Sequence, residues 1–317
     1  MNKLKIGNFP TPVYKIDSLS DYYGTNIYIK RDDFSGLEVS GNKIRKLEYL
    51  VYDAIDKECD VLITSGGVQS NHARATAAVS AMYGLDCYLV LEGEEKEFEG
   101  NLFLDKAFGA KIIFTNNVKD SIEEIETKLY DIGKKPYIIP MGGSNYIGSR
   151  GYFDQYKEIL SYENENNIKF DTITFAIGSA GTYAGIYHAN EKLSAGKKQI
   201  HGISVNNSEE FFIKKVSEIL KDSEEEIDTS KIYINDKFIG PGYAKYRKED
   251  IEFYLDIARK TGILFDPCYT GKAFEGFISN IENKFDKNGN HLFIHTGGIF
   301  GWTKEMREMA KEIISEK

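Results

Sequence analysis

S-G-N-K-I-R-K-L-E-Y-L, residues 40–50, runs from a turn into a helix and puts a lysine at the joint. Leu47, Leu50, Val51 and Ala54 recur at three- and four-residue steps, which predicts a helix from about Arg45 to Cys59. Gly41 and Asn42 make a turn, and Ser40 or Asn42 is of the residue type that caps a helix start. A strand-like run, Asn26 to Lys30, precedes them, so Lys43 stands at a strand-to-helix junction. A positive charge there opposes the helix dipole, whereas a neutral amine does not. Two readings follow. Lys43 is an ordinary surface lysine in a chain with 40 Lys+Arg, or it is kept neutral as an imine or a base.

Outward from this helix, apolar runs alternate with helical segments. D-V-L-I-T-S-G-G from Asp60 leads to a helix over Ser70–Met82, and C-Y-L-V-L from Cys87 to one near Asn101–Phe108. K-I-I-F-T-N from Lys111 leads to a helix over Ser121–Leu129, followed by Y-I-I-P from Tyr137. Such repeats predict a parallel sheet with helices on both faces, compact over about 48–148. The polar stretch Tyr162–Lys169 reads as a link. A second series follows: T-I-T-F-A-I from Thr172, a helix near Thr182–Lys192, Q-I-H-G-I-S-V from Gln199, and a helix near Glu209–Leu220. Helices near Glu249–Lys260 and Lys272–Ile281 precede H-L-F-I-H-T-G-G from His291, and the last helix lies near Thr303–Ile314. The fold class is therefore α/β.

Composition narrows the function. A net charge of -9 argues against a nucleic-acid surface. No apolar run approaches membrane-spanning length, and the first residues lack a secretory apolar core, so a cytoplasmic protein is expected. Cys59, Cys87 and Cys268 are far apart and read as free thiols. The five histidines show no metal-ligand spacing, and no metal is expected.

In doubly wound sheets, ligands sit beyond the carboxyl ends of the strands. Three glycine-bearing motifs fall there. S-G-G-V-Q-S-N-H-A-R, residues 65–74, releases a strand into a helix whose first amides suit a carboxylate, though an ordinary capped helix start has the same sequence. I-G-S-A-G-T-Y-A-G, residues 177–185, resembles a phosphate cradle closing on a helix N-terminus. It matches neither the P-loop nor the dinucleotide fingerprint. H-T-G-G, residues 295–298, is again a strand running into glycines. A phosphate site, an anion site and a junction lysine together suggest a phosphorylated aldehyde held as a lysine imine.

With these motifs in order, the chain resembles the fold-type II pyridoxal-phosphate enzymes, the tryptophan-synthase beta type. Within them it is similar to the branch of D-cysteine desulfhydrase and 1-aminocyclopropane-1-carboxylate deaminase. T-P at Thr11, K-R-D-D at Lys30, G-N-K-I-R-K-L-E-Y, P-M-G-G-S-N, G-P-G-Y, D-P-C-Y-T-G-K-A and H-T-G-G extend the match over nearly the whole chain. The resemblance implies two open twisted sheet domains with flanking helices and the cofactor between them. Residues 48–156 would form the small domain, and 1–47 with 157–317 the large one. It implies a homodimer and a small amino-acid substrate.

The resemblance also assigns roles. Lys43 is the Schiff-base lysine, which resolves the junction. Asn71 bonds the cofactor's ring hydroxyl, and Gly178, Ser179, Ala180, Gly181 and Thr182 wrap its phosphate. Ser70 lies on the substrate side. Tyr243 and Tyr269 match two active-site tyrosines, although in a chain with 21 Tyr most would be packing residues. The residue after Tyr269 separates the branches. The deaminase type has Glu there, facing the pyridine nitrogen; this chain has Thr270, as the desulfhydrase type does. A carboxylate keeps that nitrogen protonated and strengthens the electron sink, which opening a cyclopropane requires. Expelling hydrosulfide after α-proton removal demands less. The expected reaction is therefore β-elimination from D-cysteine to pyruvate, hydrogen sulfide and ammonia. Lys43 would take the α-proton, or Ser70 from the opposite face, and Tyr269 or Tyr243 would protonate the leaving group. The cyclopropane deaminase, a sulfo-lyase and, more distantly, a non-catalytic amino-acid-binding protein are the alternatives.

Overall fold

A computed structural model describes residues 1–95 and 98–316. Ten strands form two sheets: β1 Val13–Lys15, β2 Asn26–Arg31, β3 Val61–Gly67, β4 Asp86–Glu92, β5 Lys111–Thr115, β6 Pro136–Ile138, β7 Thr172–Ile177, β8 Gln199–Ser204, β9 Tyr233–Asn235 and β10 Asn290–His295. The six-stranded sheet has the order β1-β2-β10-β7-β8-β9, the four-stranded one β5-β4-β3-β6. All pairs are parallel except β1 with β2.

Both sheets are covered on both faces, as parallel sheets require. Along β10, Leu292 and Ile294 enter one core while Phe293 enters the opposite one. Along β7, Ile173, Phe175 and Ile177 take the first face and Ala176 the second. In β3, Leu62 packs under the helices Lys43–Asp56 and Asn71–Tyr83, while Val61 and Ile63 face Ile125 and Leu129 of the helix Val118–Asp131. The predicted series of runs and helices is thus present, with boundaries displaced by up to three residues. Among the described residues no helix is long and apolar enough to cross a membrane.

Two local expectations need correction. The helix after the quoted turn begins at Lys43, and neither Ser40 nor Asn42 caps it with a side chain. The Asn42 amide instead donates to Thr182 Oγ1 at 3.4 Å. Residues 162–165 are the last turn of a 20-residue helix, Tyr146–Glu165, rather than the start of a link. Glycines in its first half obscure it in the sequence, because glycine is a poor helix former. Gly151 is there for close approach: a Cβ would lie 2.1 Å from the carbonyl oxygen of Arg45.

That approach brings a buried ionic cluster together. Arg45 pairs with Asp32 at 2.9 Å and with Glu158 at 2.7 Å, and Lys30 also reaches Glu158 at 2.7 Å. Tyr152 and Gln155 donate to the same Asp32 carboxylate. Burial alone would raise the Asp32 carboxyl, but Arg45 and Lys30 hold it below the ordinary carboxylate range. The end of β2 and two helices are fixed to one another two residues from Lys43.

Candidate active site

The carboxyl ends of strands from both sheets converge on one cavity of about 340 Å³. Its lining includes Gly66 and Gly67 at the end of β3, Gly178 after β7, Thr296 and Gly297 after β10, and Lys43 at the helix start. Residues 43, 70, 71, 178, 179, 180, 182, 243 and 269 all line it. Gly181 and Thr270 do not. Gly181 opens the helix Gly181–Ser194 behind the loop, its amide turned to Ser179 O and Ser144 Oγ. Thr270 is fully buried at the start of the helix Thr270–Asn283. Its hydroxyl donates to Asp266 Oδ1 at 2.6 Å and accepts the Asp266 N–H at 2.9 Å.

Lys43 makes no hydrogen bond or ion pair among the described residues, and burial lowers its amine from the ordinary 10.5 to about 8. A lysine without a counterion in such a place favours the neutral form. Lys46, three residues on and therefore on the same helix face, was not anticipated. It is fully buried and donates to Gly142 O at 3.0 Å and Ser144 Oγ at 3.4 Å. Burial, then the charge of Lys43, pushes its amine well below the usual lysine range. The repeat K-I-R-K was the signal available for it.

Lys46 and Ser144 back the loop 178–182, since the Ser144 hydroxyl also donates to Ser179 O. Ala180 there has φ 34, and Thr182 faces Asn42. Asn206, also missed, donates to Gly178 O at 3.3 Å and leaves its Oδ1 buried without a partner. Buried Lys46 and partly buried Lys43, neither paired with a carboxylate among the described residues, beside helix amides that lack intrahelical partners, suit an anion. A phosphate on an aldehyde that condenses with Lys43 fits this donor set.

On the opposite wall, Ser70 caps the helix Asn71–Tyr83, accepting from the amides of His72 and Ala73 at 3.2 Å each. Its own proton is left to donate. Asn71, which lines the cavity, accepts at Oδ1 from Asn101 Nδ2 at 3.1 Å. Tyr243 and Tyr269 share a short hydroxyl–hydroxyl hydrogen bond, with rings edge to face at 5.8 Å. Burial first, then Tyr243, raises the Tyr269 phenol far above its ordinary value, and burial likewise raises Tyr243. Both hold their protons at neutral pH. Gly178 admits the Tyr269 ring, because a Cβ there would lie 3.1 Å from Tyr269 Cε1.

Comparison with known proteins gives the family. A Thermotoga maritima protein provisionally named 1-aminocyclopropane-1-carboxylate deaminase is 42% identical over 310 residues, 95% of this chain and 97% of that one. An Arabidopsis thaliana protein, named bifunctional D-cysteine desulfhydrase/1-aminocyclopropane-1-carboxylate deaminase, mitochondrial, is 38% identical over 96% of this chain and 80% of its own length. The crystal structure of a homologue of the deaminase superposes with a TM-score of 0.88 at 34% identity, covering 98% of this chain and 96% of that one. The profile of the family described as pyridoxal-phosphate dependent enzyme matches residues 4–297, and the chain belongs to that family.

Proposed function

We propose that this pyridoxal-phosphate dependent lyase acts on D-cysteine, consuming one water and releasing pyruvate, hydrogen sulfide and ammonia. The observation that carries the choice is Thr270. A hydroxyl already engaged with Asp266 stands where the resembled deaminase type has a carboxylate. Bound pyridoxal phosphate supplies the electron sink that makes the substrate's α-proton acidic. The loop 178–182, backed by Lys46 and Ser144, would hold its phosphate, and Asn71 its ring hydroxyl. Lys43 takes the α-proton; an amine lowered to about 8 is suited to accept and return a proton near neutral pH. Ser70 faces the same cavity with a free proton and serves the substrate carboxylate or the opposite face of the α-carbon. As the carbon–sulfur bond breaks, the Tyr243–Tyr269 pair donates a proton to the departing sulfur.

Opening of 1-aminocyclopropane-1-carboxylate is the second reading, favoured by the name of the Thermotoga relative, while the Arabidopsis relative's name carries both activities. One panel separates the two: D-cysteine, L-cysteine, D-serine, L-cysteate, β-chloro-D-alanine and the cyclopropane acid, with pyruvate, 2-oxobutyrate, sulfide and sulfite read separately. Sulfide and pyruvate from D-cysteine, with slower 2-oxobutyrate, support the proposal. Fast 2-oxobutyrate without sulfide replaces it with the second reading, and preference for L-cysteine or L-cysteate defeats the handedness. We further propose a cytoplasmic homodimer, checked by sedimentation. Residues 48–156 would close as a unit on substrate, and the helices Lys43–Asp56 and Tyr146–Glu165 run across both ends of that range.

A further inference from the structure

We propose that Lys272 is a positioning residue for the tyrosine pair, clamping the loop that carries Tyr243 so that its hydroxyl meets Tyr269. Lys272 lies in the first turn of the helix Thr270–Asn283, three residues beyond Tyr269. A cation at that end opposes the helix dipole. Its side chain is 1% exposed and forms no ion pair among the described residues. The Asp250, Asp266 and Glu275 carboxylates act on it without pairing with it, and a buried ammonium is costly unless its protons are taken up. Two of them are: Nζ donates to Ile239 O at 2.7 Å and to Gly242 O at 2.6 Å.

Those carbonyls belong to the irregular segment between β9 and the helix Lys248–Thr261. Three of its residues have left-handed backbones: Gly240 at φ 66, Gly242 at φ 134 and Ala244 at φ 53. Tyr243, next to Gly242, is 42% exposed, and its hydroxyl bonds that of Tyr269 and also meets the Cys268 thiol. The loop's own bond, from the Lys245 N–H to Gly242 O at 3.2 Å, is a backbone turn, so the Tyr243 hydroxyl is placed by what the loop is held against. One short helical turn carries both Tyr269 and the cation that grips the other tyrosine's loop. Charge-assisted bonds at both carbonyls make Lys272 the link that sets the spacing of the pair.

The inference rests on the proposed role of the tyrosines at the leaving group, so its test has a readout that does not. Lys272→Met keeps the apolar stem and removes the donors. Trypsin cleavage after Lys245 or Arg247 in the released loop is expected to speed up ~10-fold in that variant, without substrate present. On the fastest substrate of the panel, kcat falls ~10²-fold with the lysine-bound cofactor absorbance retained and KM moved by less than about threefold. Lys272→Arg, which still reaches two carbonyls, recovers most of the loss. In a Tyr243→Phe background, adding Lys272→Met changes kcat by less than about twofold, because the two act as one unit. An unchanged cleavage rate overturns the clamp. Equal losses from Lys272→Met with and without Tyr243, or loss of cofactor absorbance in parallel with kcat, overturns the positioning role. Should Met at this site not give soluble protein, Lys272→Gln, too short to reach the carbonyls, is read by the same cleavage and kcat measurements. Accelerated cleavage with no turnover of any panel substrate upholds the clamp and removes the functional reading alone.

Discussion

Lys43 should destabilise the cofactor-free protein. Its amine is buried without a partner, and its pKa falls from the ordinary 10.5 to about 8. Each pKa unit corresponds to ~1.4 kcal/mol, so holding this lysine protonated in the fold costs up to about 3 kcal/mol. The sign follows from proton counting. Between pH 8 and 10.5 the unfolded chain binds the proton and the folded chain does not, so stability rises with pH across that window. Below it both states are protonated and the penalty is complete. Lys43→Met removes the charge and keeps an apolar stem. Stripped of cofactor, this variant should therefore be more stable than the parent at pH 7 by up to about 3 kcal/mol. The advantage should fade as the pH approaches 10. Relief of Lys46, whose amine is lowered by burial and then by Lys43, acts in the same direction. Water in the open cavity screens the charge, which makes the figure a ceiling. Urea unfolding of both apo proteins at pH 7 and pH 9.5 measures it. A Met variant no more stable than the parent at pH 7, or an advantage that grows with pH, would falsify the picture of an unpaired buried amine. The same substitution should abolish lysine-bound cofactor absorbance and nearly all turnover in the holoenzyme.

Asn71→Ala or Thr182→Ala should weaken cofactor retention, measured by absorbance after dialysis, while the product mixture from the panel stays the same; a changed product with full retention contradicts those assignments. Gly151→Ala should destabilise by about 1–3 kcal/mol despite the better helix propensity of Ala, because its methyl meets Arg45 O; an unchanged urea midpoint disproves the close approach. Arg45→Met should cost ~3–5 kcal/mol at pH 7 by leaving Asp32 buried without its main counter-charge. Asp32 is held below its ordinary range in the fold, so the parent draws that stability above the unfolded carboxylate pKa and loses it as pH falls through the folded one. The gap between the two proteins should accordingly narrow in acid, and a gap that widens there excludes the cluster as its source.

Much of this architecture was legible because it rests on periodicity. Phe293 between Leu292 and Ile294 reads as a strand buried on both faces from its sequence alone, and it splits between two cores. The residues from Gly66 to Asn71 and from Gly178 to Thr182 were legible for a different reason: an apolar run that ends in glycine and is followed by helix-forming residues reads as a strand turning into a helix. What escaped depends on contacts remote in sequence. Gly151 argues against a helix until the Arg45 carbonyl it accommodates is known. Asn42 has the chemistry of a cap, yet its amide is drawn to Thr182, 140 residues away. Thr270 was expected at the cofactor, and its hydroxyl proton goes to Asp266.

The same distinction explains the lysines. Lys43, Lys46 and Lys272 each stand in the first turn of a helix, where the dipole disfavours a cation. Each is a local conflict, and local conflicts concentrate where function or long-range structure overrides propensity. Their environments separate them. Lys43 has no partner among the described residues and opens on the cavity, the condition for a reactive amine. Lys46 gives its protons to Gly142 and Ser144 behind the glycine loop, the condition for a structural brace. Lys272 gives its protons to two carbonyls of one exposed loop, the condition for a clamp. Sequence position marks all three as anomalous; only the partner of each Nζ tells reagent from scaffold.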